Sequence, residues 1–175
     1  MQLFGRRKDA KPQDPLDKQR KQAVEAQRSA LLFLQGKLYG QAESELRRAV
    51  TLDPDSATGH AYLGMVLHKV GRLQEAIDEL GIAITLMPED EALWRTRGSI
   101  KEAVSDLQGA ITDYQMAVQL DTAQSLSHAA LGAILVQGND LQRGEFHLKR
   151  ALELEPRDPL ALADMAGLRQ QQGKS

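Results

Sequence analysis

The 175-residue sequence contains no cysteine. Without thiols there are no disulfides, no thiolate zinc sites, no iron–sulfur clusters and no cysteine nucleophile. A cysteine-free chain fits a reducing compartment. Aromatic residues are scarce at 4%, too few for the stacking platforms that hold single-stranded nucleic acid. A large charge of one sign is missing as well. The net charge of −2 does not make a polyanion binder, and no nucleic-acid partner is expected. No stretch approaches the ~20 consecutive apolar residues that cross a bilayer, and the apolar run before Arg6 is too short for a secretory core. The expected address is the cytoplasm.

What the chain does have is a period. Ala57 to Asp90 reads as two short amphipathic helices. In the first, Leu63, Val66, Leu67 and Val70 fall at the three- and four-residue steps that share one face, and Gly71 ends it. The second, from about Leu73 to Leu86, carries Leu73, Ala76, Ile77, Leu80, Ala83, Ile84 and Leu86 on its apolar side until Pro88 forbids continuation. Shifting the sequence by 34 residues aligns four windows without a gap: 23–56, 57–90, 91–124 and 125–158. The eighth place is small each time (Ala30, Gly64, Gly98, Gly132), and so is the twentieth (Ala42, Ala76, Ala110, Gly144). The twenty-seventh is always alanine and the thirtieth always leucine. Small residues at fixed places mark close helix crossings. No such unit buries its apolar face alone, so stacking must supply the core.

A 34-residue period with two helices per unit resembles the tetratricopeptide repeat family, over about 150 of the 175 residues. The resemblance implies an all-α, right-handed superhelix of four helix pairs. A helix over 159–172, beginning after Asp158-Pro159 and polar at its end, serves as the C-terminal cap. The array is then a single domain over 14–172.

Residues 1–13 read as a solvated basic tail, outside any core. Across Met1–Gln22 seven cations oppose three carboxylates, a net of +4. The alternative for the tail is a weak membrane-surface or partner contact through Leu3 and Phe4 beside Arg6-Arg7-Lys8. The first helix is expected from Asp14 as cap and Pro15 as first residue, with Asp17 favouring the positive helix end, and runs to about Gln35. Gly36 and Gly40 flank the turn that follows. In the third unit, Arg97 and Lys101 stand where the second has Leu63 and Leu67. Either their stems cover apolar surface while the charges reach solvent or a carboxylate, or they form a basic spot for a partner. Ser105 and Thr122, in place of the usual glycine and proline, weaken that unit's boundaries.

Chemistry is hard to find. His60 and His68 lie eight residues apart on one helix, ~12 Å by helical rise, too far for one metal ion. His60 and His128 occupy equivalent places two units apart, where the third unit has Trp94, and read as large, partly polar packing residues. No serine is set beside a base, and no glycine-rich loop follows a strand. No catalytic residue, metal site or cofactor is expected.

The family resemblance also implies a concave groove lined by the first helix of each pair. Its second, fifth, ninth, twelfth and thirteenth places carry over to Val24, Gln27, Leu31, Leu34 and Gln35 in the first unit. In the second they are Thr58, Ala61, Met65, His68 and Lys69, and in the third Ala92, Arg95, Ser99, Glu102 and Ala103. The fourth offers Leu126, Ala129, Ala133, Val136 and Gln137. Gln27 and Leu31 replace the lysine and asparagine with which some family members hold a partner's terminal carboxylate, so that clamp is absent. The surface is mostly apolar and small, with a basic point at Arg95, which suits an apolar or amphipathic segment of another protein. The expected function is a non-enzymatic interaction module: an adaptor, a scaffold or an assembly chaperone. The alternative is a self-assembling structural protein that forms homo-oligomers through groove, cap or tail.

Overall fold

Short amphipathic stretches broken by turn residues fold into a row of helices. The computed structural model describes residues 15–173, so the basic tail and the Asp14 cap lie outside the described residues. The helices are α1 (Pro15–Gln35), α2 (Tyr39–Leu52), α3 (Ala57–Lys69), α4 (Leu73–Leu86), α5 (Glu91–Ala103), α6 (Leu107–Leu120), α7 (Ser125–Gln137), α8 (Leu141–Leu154) and α9 (Pro159–Gln172). No strand occurs among the described residues. Helices α1 to α8 pair as hairpins. Each hairpin lies against the next through α2/α3, α4/α5 and α6/α7, and α9 lies on α8. Contacts also run from α5 to α7 and from α7 to α9. The row winds as a right-handed superhelix, so the first helices of successive pairs share one face.

The core is a seam along these interfaces. Ala30, Ala42, Leu46, Leu63, Leu67, Ala76, Leu80 and Ile100 form one continuous buried cluster from α1 to α5. Ala110, Tyr114, Leu131, Ile134 and Leu135 continue it into α6 and α7, and Leu148, Met165 and Leu168 close it under α9. Val70 and Leu86 share the apolar spacing but sit at helix ends and stay exposed.

Small residues recur because backbones meet there. A Cβ on Gly132 would lie 2.8 Å from Leu148 Cγ and 3.0 Å from the Leu148 backbone nitrogen. Gly64 against Leu80 and Gly98 against Tyr114 are equally tight.

The turns repeat a single device. The fifteenth place of every unit has a positive φ: Lys37 at 56°, Gly71 at 83°, Ser105 at 65° and Asn139 at 65°. Around each, the next N–H reaches back to close the helix. Leu38 bonds to Phe33 O at 2.8 Å, Arg72 to Leu67 O at 2.9 Å, Asp106 to Lys101 O at 2.9 Å and Asp140 to Leu135 O at 2.8 Å. This is the Schellman closure, which only the second unit makes with glycine. Gly36 and Gly138, though adjacent, are not the left-handed residues. Ser105 therefore does not blur the third unit's boundary, which Asp106 also marks by accepting from Gly109 N at 3.0 Å.

A second device repeats at the fourth place. His60 Nε2 donates to Pro54 O at 3.0 Å, Trp94 Nε1 to Pro88 O at 2.8 Å and His128 Nε2 to Thr122 O at 3.2 Å. Each ring thus ties the start of its unit to the turn that ends the previous one.

Arg97 and Lys101 answer a carboxylate. Arg97 is bidentate on Asp113, and Lys101 Nζ lies 3.0 Å from the same side chain. Asp113 is 1% exposed. Arg97 also stands 5.0 Å over the Trp94 ring. The two cations are consumed within the fold, so the reading of a basic spot for a partner is corrected.

Candidate functional site

The shared face of the first helices hollows between α5, α7 and α9 into a cavity of about 350 Å³. Its walls are small and apolar on α7 (Leu126, Ala129, Ala130, Ala133) and polar on α5 (Arg95, Thr96, Ser99). Leu160 and Asp164 of α9, Tyr114 of α6 and His68 at the α3 side complete it. Leu160 is 67% exposed and Leu126 44%, so their side chains are free to meet a ligand.

The polar groups differ in how far they are already engaged. Arg95 Nε donates to Glu91 Oε1 at 2.9 Å, and the Ser127 hydroxyl donates to the same oxygen. The arginine's charge is therefore answered from its own helix. Tyr114 donates its hydroxyl to Glu102 Oε2 at 3.0 Å. Burial, and then the Glu102 charge, keeps the phenol protonated far above its ordinary range. Asp164 has neither a hydrogen bond nor an ion pair among the described residues. Burial first, and then the charges of Asp158 and Glu102, push its carboxyl above the usual range. Asp158 is 4% exposed. Its Oδ1 caps α9 by accepting from Leu160 N at 2.9 Å, and its buried Oδ2 has no partner among the described residues.

No family model matches the sequence, and no curated protein matches it. Solved structures do. MamA superposes with a TM-score of 0.82 at 16% identity, covering 87% of this chain and 84% of that one. YrrB, described as a TPR protein with an unusual peptide-binding site, gives a TM-score of 0.76 at 18% identity, covering 91% of this chain and 84% of that one. The first TPR of Spaghetti, bound to an HSP90 peptide, gives 0.66 at 24% identity, covering 69% of this chain and 96% of that one. The chain has the tetratricopeptide repeat (TPR) fold. At these identities the likeness concerns fold alone.

Within this TPR array the structure brings together His68, Arg95, Ser99, Leu126, Ala129 and Ala133 around the cavity between α5, α7 and α9. Thr58, Ala61 and Ala92 border a separate hollow of about 290 Å³ with Tyr62 and Leu93. Val24 sits in a shallow recess on α1 among Arg20, Lys21, Glu25 and Arg28. Met65 stands on α3 at 47% exposure. Other groove positions are engaged inside the fold. Gln27 Nε2 donates to Ser56 Oγ at 2.7 Å, Leu34 packs on the main core, and Val136 packs against the Leu148 cluster. Leu31 is half-buried, and Glu102 holds Tyr114. Gln35, Lys69, Ala103 and Gln137 are exposed near the helix ends.

The five-place pattern misses Thr96, Tyr114, Ala130, Leu160 and Asp164. Thr96 and Ala130 share the sixth place of their units, Tyr62 holds it beside the smaller hollow, and Asp164 falls there if α9 opens a fifth unit. That shared place is the signal in the sequence. A helix read only as a cap hides half of it.

Proposed function

We propose that this TPR protein is a non-enzymatic interaction module of the cytoplasm, an adaptor, scaffold or assembly chaperone. It holds an apolar or amphipathic segment of another protein in its concave groove. The supporting observation is the cavity of about 350 Å³ between α5, α7 and α9. It combines small apolar walls with a few convergent polar groups, the usual make-up of a recognition site. YrrB is described with a peptide-binding site and the Spaghetti TPR with a bound peptide, so this fold has precedent for that use.

The test is a pull-down with the full chain against a Met65→Glu/Leu126→Glu/Leu160→Glu variant, with captured proteins identified by mass spectrometry. These three side chains are exposed, so circular dichroism should stay helical while captured partners disappear. Leu31 and Leu34 are both half-buried and Leu34 packs on the core, so a carboxylate there would also act on the fold itself. Undiminished capture would move the interface off the groove. Mass that grows with concentration in light scattering, and falls in the triple variant, would instead assign the groove to a second copy of the chain.

A further inference from the structure

The charge of the cavity between α5, α7 and α9 is the reverse of what its lone arginine advertises. Arg95 is spent on Glu91 at 2.9 Å, while Asp164, on the opposite wall, has no counter-ion among the described residues. Two further carboxylates stand near enough to disfavour its charge, Asp158 and Glu102. The Asp158 Oδ2 is buried without a hydrogen bond among the described residues. Apolar walls lower the local dielectric and so magnify both the repulsion among these acids and the gain from a cation brought to them.

We propose that the cavity between α5, α7 and α9 receives a lysine or arginine of a partner peptide on Asp164, with an apolar side chain of the same peptide seated between Leu126 and Leu160. This rests on the reading of the groove as a peptide-binding surface and adds the partner's chemistry. A long cationic side chain fits the cavity because its methylenes lie along Ala129, Ala130 and Ala133 while its head reaches the carboxylate. An acidic peptide would bring another anion beside three carboxylates and find the charge of Arg95 already paired with Glu91 through Nε. A neutral peptide would leave Asp164 desolvated and unpaired, which costs affinity.

The experiment is selection from a random displayed-peptide library on the immobilised full chain at low salt. Fluorescence polarisation of the selected peptides follows, on wild type, Asp164→Asn, Asp164→Lys and the Leu126→Glu/Leu160→Glu pair. Selected peptides should carry lysine or arginine beside an apolar residue. Asp164→Asn should bind them roughly tenfold more weakly, the scale of one charge-assisted hydrogen bond, and Asp164→Lys should select acidic peptides instead. Asp164 makes no hydrogen bond that the asparagine would break, and circular dichroism of each variant checks the fold. Peptides lost with the leucine pair but free of charge preference, or unaffected by Asp164→Asn, would overturn the proposal and leave the groove reading standing. Acidic peptides on wild type would do the same. Peptides that survive the leucine pair, or no enrichment at all, would overturn both.

Discussion

Arg97 and Asp113 face each other across the α5–α6 hairpin with Nε and Nη2 at 2.8 and 2.7 Å from the two carboxylate oxygens. The arginine occupies a place where the second unit has Leu63, and the carboxylate is buried. Removing one member of a buried pair strands the other charge. Lys101 remains at 3.0 Å in Arg97→Leu, so the loss should fall below the usual range, at about 2–3 kcal/mol. Asp113→Leu, which strands two cations, should cost more. Urea denaturation of both variants checks the order, and an Arg97→Leu protein as stable as wild type would contradict it.

The four left-handed turn residues make a graded prediction. Glycine adopts positive φ without the Cβ clash that costs other residues roughly 1–2 kcal/mol, though it loses more backbone entropy on folding. Lys37→Gly and Ser105→Gly should therefore raise stability by about 0.5–1 kcal/mol each. Asn139→Gly should raise it less, because asparagine tolerates this region. Gly71→Ala should be destabilising by a similar margin. Thermal melts of the four single variants read the series directly.

Much of this architecture is legible in the sequence because repetition makes each rule visible four times. One small residue could be accidental, but Ala30, Gly64, Gly98 and Gly132 at one place declare a crossing. What sequence does not reveal is pairing between distant residues. Nothing local tells Arg97 that Asp113 awaits it sixteen residues on. The groove is the intermediate case. Arg95 looks like a free basic point, yet Glu91 lies one turn earlier at the i,i+4 spacing that forms helical ion pairs, so its neutralisation is readable. The role of Asp164 is not, since it depends on how α9 lies against α7.

The crossing at Gly132 predicts intolerance of a single methyl. Its Cβ would stand 2.8 Å from Leu148 Cγ, and a shift of the leucine is blocked by the backbone contact at 3.0 Å. Leu148 itself is fully buried. Gly132→Ala must therefore push α7 from α8, although alanine is the better helix former. The expected net loss is about 1–3 kcal/mol, the scale of overpacking. Gly167→Ala on α9, where nothing lies within 4 Å, serves as the control and should gain stability by about 0.5–1 kcal/mol. Equal effects in the two variants would show that helix propensity, rather than packing, governs the crossing.

His128 and His147 give the fold a pH dependence of definite sign. Their Nδ1 atoms lie 3.0 Å apart with the rings stacked, and His128 Nε2 donates to the Thr122 carbonyl. His128 therefore offers an Nδ1 lone pair, and His147 must be the donor, so a neutral pair satisfies the contact. Burial, then the neighbouring His128 and Arg143, hold His147 down to about 4, and burial also lowers His128. The unfolded chain takes up these protons near the ordinary histidine value of ~6.5, before the folded chain does. Stability from this pair is full above that value and drains as pH falls toward 4. His128 is buried but His147 is only half-buried, so the loss should be about 1–2 kcal/mol, well short of the full linkage value. In His147→Glu the fourth unit gains the carboxylate that the second holds against His60 at 2.6 Å. That variant should therefore keep its stability over the same interval while wild type loses it. Guanidinium melts at a series of pH values between 7 and 4 measure the difference, and parallel profiles for the two proteins would refute this account of the pair.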